Sequence, residues 1–167
     1  QVLKNLLQEG ITLRDNRSII NNLLAESVKT KDANQLTALI RPHLGRIIVQ
    51  DIISVNEELP IITLEQPLEQ LLNNSIQNDS SSNDVFLEPK LIESIVASVS
   101  IEKQNAEERG NPAVMVVSPK IRPWLSRILR QRLGNLSVLA YTEIPEDQEI
   151  RVIGRVGIQD EQQNQVA

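Results

Sequence analysis

The feature that most limits the fold is Ala113-Val114-Met115-Val116-Val117, five apolar residues in unbroken succession between Gly110-Asn111-Pro112 and Ser118-Pro119. A strand with one wet face alternates apolar and polar residues. A run without alternation is the pattern of a strand covered on both faces, at the centre of a sheet. A helical stretch from Ser118-Pro119 to about Leu133 and a strand at Val138-Leu139-Ala140-Tyr141 follow it. Strand, helix, strand is a crossover, which is nearly always parallel and right-handed. Ile150 to Val156 reads as a further strand, expected to pair with Val138–Tyr141 as a hairpin turning at Pro145-Glu146-Asp147-Gln148. The β-branched, Pro-led segment Leu59–Leu64 supplies a fourth.

Two helices are expected between Leu64 and Ala113. One runs from Pro67 to Gln77. The other opens on Glu88-Pro89-Lys90, with Pro89 suited to a first helical position, and buries Leu91, Ile92, Ile95, Val96, Val99 and Ile101. Between them, Asn78 to Asp84 offers no apolar residue to bury and reads as a mobile loop. Upstream the period is helical throughout. Val2, Leu3, Leu6 and Leu7 form a stripe that Gly10 ends, and Asp15 can cap a helix to about Lys29 with Ile19, Ile20, Leu23, Leu24 and Val28 on one face. A third helix starts at Asp32 and must break near Ile40–Pro42, because an interior proline removes a backbone bond at a cost of about 3 kcal/mol. The expected fold class is α+β. A small helical subdomain at 1–56 precedes an α/β subdomain at 57–158, with a short mixed sheet of about four strands packed by helices, and a polar tail at 159–167.

Composition excludes several chemistries. The chain has no cysteine and one histidine, His43, so neither a thiolate nucleophile nor a Cys/His metal site can be assembled. Phe86, Trp124 and Tyr141 are the only aromatics, too few for base-stacking platforms. The net charge of −5 argues against nucleic acid. No G-x-G-x-x-G, Walker A or G-x-S-x-G spacing occurs. Ser118, at a strand-to-helix turn, reads as a helix N-cap, and Glu143, Glu146, Asp147 and Glu149 as a solvated hairpin tip without the ordered ligands of a calcium loop. No cofactor and no catalytic residue is expected. The start, Gln1-Val2-Leu3-Lys4, lacks an initiator methionine and a signal-peptide pattern, so the chain is expected to be part of something longer.

One charge cluster stands out. Lys120, Arg122, Arg127, Arg130 and Arg132 fall in a stretch without acidic residues, opposite Ile121, Trp124, Leu125, Ile128, Leu129 and Leu133. This is either a docking face for an acidic partner or an ordinary solvated face that offsets the acidic remainder. Trp124 is expected to be a buried anchor of the helix on the sheet. A different possibility is a small-molecule or nucleotide-binding enzyme domain with its site at the C-terminal end of the strand Ala113–Val117. A DNA-reading helical unit at 1–56 carries the wrong charge.

Several collinear segments carry a resemblance. Val2 to Asp15, Leu44-Gly45-Arg46-Ile47-Ile48 and Ile61-Ile62-Thr63-Leu64 are similar to the cytoplasmic part of the export gate of flagellar and related type III secretion systems. So, in the same order, are Leu87-Glu88-Pro89, Ser118 to Leu125 and Val138 to Pro145. The FlhA-type flagellar branch is the closer fit, although Ala140 and Thr142 depart from its pattern. The resemblance implies a module without catalysis, on the cytoplasmic face of the bacterial inner membrane and attached through upstream segments absent from this chain. It also implies self-association into a ring, nonameric in the family, and partners among export substrates, their chaperones and other export-apparatus proteins including the ATPase complex.

Overall fold

The computed structural model describes residues 1–77 and 87–158. The loop expected at Asn78–Asp84 and the tail from Gln159 lie outside them. Contacts divide the chain into two compact units: Gln1–Leu59 together with Leu139–Arg151, and Pro60–Val138 together with the residues from Val152 on. Leu139–Arg151, expected in the α/β part, therefore groups with the helices.

In the first unit, α1 (Val2–Gln8) ends on Gly10, whose φ of 76° lets Ile11 N–H reach back to Leu6 C=O at 3.0 Å. Leu6 and Ile11 are both buried beside that closure. α2 (Asn16–Glu26) is capped by Asp15, whose carboxylate accepts from Ser18 N–H at 3.1 Å. Hydrogen bonds from Ser18 hold the Asp15 carboxyl below its ordinary pKa. α3 (Ala33–Ile40) is capped in the same way by Asp32 and packs against both earlier helices. The break expected at Pro42 is a 3₁₀ turn, Arg41–Leu44, after which α4 (Gly45–Gln50) begins.

Arg41 in that turn is 2% exposed, yet it is charged. Its Nε donates to Glu143 Oε1 at 2.8 Å and its Nη2 to Glu143 Oε2 at 2.7 Å, while Nη1 pairs with Glu9 at the end of α1. Burial opposes the charge, but the hydrogen bonds and charge of Glu143, with the charge of Glu9, outweigh it and hold the guanidinium above its ordinary pKa. The backbone of Glu143 comes so close to Gly45 that a Cβ there would lie 1.9 Å from the Glu143 carbonyl oxygen.

The second unit carries most of the sheet: β1 (Leu59–Leu64), α5 (Gln66–Gln77), α6 (Pro89–Glu108), β2 (Val114–Val117), α7 (Arg122–Leu133), β3 (Ser137–Ala140) and β4 (Ile150–Val156). Every residue of β2 is buried, as its unbroken apolar run requires. The strand order is β3-β2-β1-β4, with β1 and β2 parallel in the register Ile62 to Met115 and Thr63 to Val116. The expected hairpin does not form. β3 and β4 are opposite edges, and β4 runs alongside β1 in the same direction, Leu59 N–H meeting Glu149 C=O at 2.8 Å and Glu65 N–H meeting Val156 C=O at 2.7 Å. The sheet is parallel rather than mixed because residues 141–149 are no hairpin turn. They hold a short 3₁₀ segment, Tyr141–Glu143, whose glutamate is bound by Arg41.

The core of this unit joins Ile62, Leu64 and Met115 to Leu72 of α5, Ile95 and Val99 of α6, and Trp124, Leu125 and Leu129 of α7. Ile101, expected on the buried face of α6, is 54% exposed, since two residues past Val99 it turns about 200° away from the stripe. Trp124 is 6% exposed within the core. Trp124→Ala is expected to cost about 3–5 kcal/mol, the range for an aromatic core truncation, and a melting curve within a degree or two of wild type would show that the cavity collapses. Glu143→Ala leaves Nε and Nη2 of the buried Arg41 without their carboxylate, with Glu9 alone to meet the charge, and is expected to cost about 3–5 kcal/mol in urea unfolding, whereas Arg41→Met combined with Glu143→Leu recovers most of that loss. Additive losses in the pair would contradict coupling between the two residues.

Candidate functional site

Ser118, at the strand-to-helix turn, is engaged structurally. Ser118 does not cap a helix: α7 begins at Arg122, and a turn intervenes in which Ser118 C=O accepts from Ile121 and Arg122 N–H, both at 3.1 Å. Its hydroxyl lies 2.9 Å from Asn73 Oδ1 and its N–H donates to Glu69 Oε1 at 3.0 Å, so two α5 side chains hold the end of β2. His43 is half-exposed, and its Nε2 stands 3.8 Å from Glu26 Oε1. Glu26 lies 17 residues away along the chain, so this acidic neighbour was not evident from the residues, and the separation is too long for a hydrogen bond. Among the described residues, no group of three or more His, Asp or Glu is placed to hold a metal ion. Among the same residues, no helix is long and apolar enough to cross a membrane.

The acidic segment Glu143–Glu149 is not one solvated tip. Glu143 is 3% exposed against Arg41, while exposed Asp147 is forked by Arg46 Nη2 at 2.9 and 3.2 Å, which lowers the Asp147 carboxyl below its ordinary pKa. The basic cluster also divides. Arg122, in the first turn of α7, is 3% exposed and cannot share an open docking face. Lys120 is exposed in the turn before the helix, Arg127 is half-buried, and Arg130 and Arg132 are exposed in the last turn. There the helix dipole favours cations. Of the five, only Arg127 and Arg130 are spaced i, i+3 on one face of α7.

A surface the sequence reading placed inside is open. Of the expected apolar face, Ile19 of α2 is buried and Leu23 half-buried, whereas Ile20 and Leu24 are 50% and 66% exposed and Val28, in the turn after the helix, is 86% exposed. The two sets are separate stripes about 100° apart. Ile19 and Leu23 occupy one and Ile20 and Leu24 the other, with Val28 four residues further on in the turn that follows. The signal was present in the count: four large apolar residues, Ile19, Ile20, Leu23 and Leu24, on a helix of 11 residues are more than one packing stripe needs. Ile20 and Leu24 on the open face of α2, with Val28 in the turn just beyond its end, mark an interaction surface rather than scattered surface hydrophobes.

Residues 1–149 match the FHIPEP family. The chain is similar to the flagellar biosynthesis protein FlhA of Salmonella typhimurium, with 36% identity over 157 residues that cover 94% of this chain and 22% of that protein. Among solved structures it is similar to the Shigella flexneri MxiA protein, at a TM-score of 0.78 and 26% identity over 93% of this chain and 49% of that one. It is also similar to the nonameric EscV cytosolic domain from the type III secretion system, at a TM-score of 0.73 and 25% identity over 93% of this chain and 46% of that one. The chain thus spans about a fifth of its curated relative and under half of these solved chains. Matched along most of its length and carrying the α+β fold of those neighbours, the chain belongs to the FHIPEP family, as its collinear segments indicated.

Proposed function

We propose that this chain is a non-enzymatic module of a flagellar or type III protein export gate, on the cytoplasmic side of the inner membrane, that packs against further copies of itself in a ring. The observation that carries this reading is the open stripe Ile20, Leu24 and Val28, in a chain similar to a domain solved as a nonamer. A surface of that kind is costly in water and is covered when a second copy packs on it. Arg127 and Arg130, on one face of α7, mark a second surface of opposite character, with Lys120 and Arg132 exposed near the two ends of the helix. We assign it to an acidic region of an export substrate, its chaperone or another component of the apparatus, among them the ATPase complex. Nothing in the fold or in the comparisons supports the small-molecule or nucleotide-binding enzyme reading.

Sedimentation of the purified chain tests the first surface. Leu24→Ser with Val28→Ser removes two exposed side chains, so the melting temperature should stay within a degree or two while self-association weakens more than tenfold. Unchanged sedimentation would remove the stripe from the assembly. In cells, Arg127→Glu with Arg130→Glu in the full-length protein should lower secretion of flagellar hook and filament subunits without loss of the protein. Normal secretion would reduce the basic face to a solvated surface.

A further inference from the structure

The first unit holds an open groove of about 250 Å³ that neither surface above includes. One wall is α4 and the turn after it, through Ile53 to Glu57. The other is the segment Pro145 to Glu149. The walls are pinned to each other. Arg46 forks Asp147, and Gln148 Nε2 donates to the backbone carbonyls of Glu57 and Glu149, both at 2.8 Å. Asn56 turns the lip with φ of 70°, a left-handed conformation that few residues other than glycine adopt. The groove is thus formed before anything enters it.

Its lining combines two chemistries. Val49 and Ile53 are buried beneath it, and Val55 at the rim is 68% exposed with its apolar side chain in water. The charges do not balance: Arg46 is taken by Asp147, which leaves the exposed carboxylates of Glu57 and Glu149 on opposite walls with no cation of the groove to meet them. Asp51 and Glu146 are exposed close by in sequence and add to the same sign. Glu58, the next acidic residue, is already paired with Arg151 at 3.2 Å.

We propose that this groove docks a short extended segment of a partner protein. Basic side chains of that segment meet Glu57 and Glu149, and an apolar side chain between them covers Val55 over the Val49 and Ile53 floor. Charge complementarity selects the occupant: an acidic or purely apolar segment leaves the two carboxylates unpaired or repelled, and a basic segment without an apolar residue leaves Val55 in water. The site is independent of the ring, because Ile20, Leu24 and Val28 contribute nothing to its lining.

The test is fluorescence anisotropy on the full chain, with a labelled pentapeptide reading serine, arginine, leucine, arginine, serine. The same peptide with glutamate for arginine, and another with serine for leucine, serve as comparisons. Saturable binding of the first alone is expected, weakening about tenfold in Glu57→Gln with Glu149→Gln and also in Val55→Ser. Binding should fall with added salt and stay unaffected by Leu24→Ser with Val28→Ser. Glu57→Lys with Glu149→Lys should reverse the preference to the glutamate peptide, a gain that an unfolded variant cannot give. Absence of saturable binding, equal binding by the Gln variant, or equal binding of the peptide lacking leucine would each overturn the proposal. So would altered sedimentation of the Gln variant without peptide binding, since the groove would then belong to a second copy of the chain.

Discussion

A guanidinium with 2% exposure is an unusual object around which to arrange a unit of helices, and the position of Arg41 decides where the rest of the chain can go. A charge removed from water must be met on every side, and a buried pair left with one member is strongly destabilising. Arginine meets the requirement where lysine does not. Its planar fork engages both oxygens of Glu143 through Nε and Nη2 and still presents Nη1 to Glu9. Two acidic residues from distant parts of the chain are therefore held to one turn of helix. Gly45 then allows the Glu143 backbone to lie against α4, where any side chain would collide. With 139–151 fixed in this way, the chain leaves one edge of the sheet and returns at the other, and a parallel order follows. The groove is a consequence of the same constraint, because one of its walls is the segment that Glu143 ties down.

What could be read in the residues follows from how local its cause is. The covered strand Ala113–Val117 was evident because two buried faces leave no choice of residue type. The break at Pro42 was evident because proline lacks the N–H that the helix needs. Asp15 was evident because a cap acts within three residues. The errors share the opposite property. Glu143 resembles its acidic neighbours in sequence and differs only in meeting Arg41, 102 residues away. The hairpin was inferred from proximity along the chain, which does not specify pairing when a distant residue captures the connection. Arg122 shares its helix with exposed arginines, and its burial is settled by tertiary placement alone. The stripe Ile20, Leu24 and Val28 was misread for a further reason. Apolar periodicity reports that a face avoids water, but not whether the face is covered by this chain or by another.

That last ambiguity bears on the candidate surfaces. A catalytic site would show buried titratable groups converging on a cavity, with neighbours that displace their pKa values. Here the strongly placed charges serve structure: Arg41 with Glu143 and Glu9, Glu69 on the end of β2, Asp15 and Asp32 on helix N-termini. The open apolar side chains Ile20, Leu24 and Val28 have no such structural use, and the exposed basic residues of α7 lie on the other unit. Such a division suits a component that is held in an assembly by one face and presents another to what passes. Surface character of this kind is spread over helical spacing rather than concentrated in a short signature.

The size of the apolar stripe sets how such an assembly could behave. Burial of three partly exposed side chains is worth about 1.5–3 kcal/mol each at most, while fixing one copy against another costs about 4–15 kcal/mol in lost freedom. A single contact of this kind is therefore marginal, and two isolated copies would separate readily. A closed ring changes the balance, because the last copy to enter makes two contacts for one loss of freedom, and every copy is then held on both sides. Closure requires a heterologous contact, in which the stripe packs on a different patch of the next copy rather than on itself. A stripe packing on its own counterpart would stop at a dimer. Weak individual contacts would then be an advantage, since a ring can be strict in its closed form while unassembled chains stay separate and the exposed Ile20, Leu24 and Val28 do not drive aggregation.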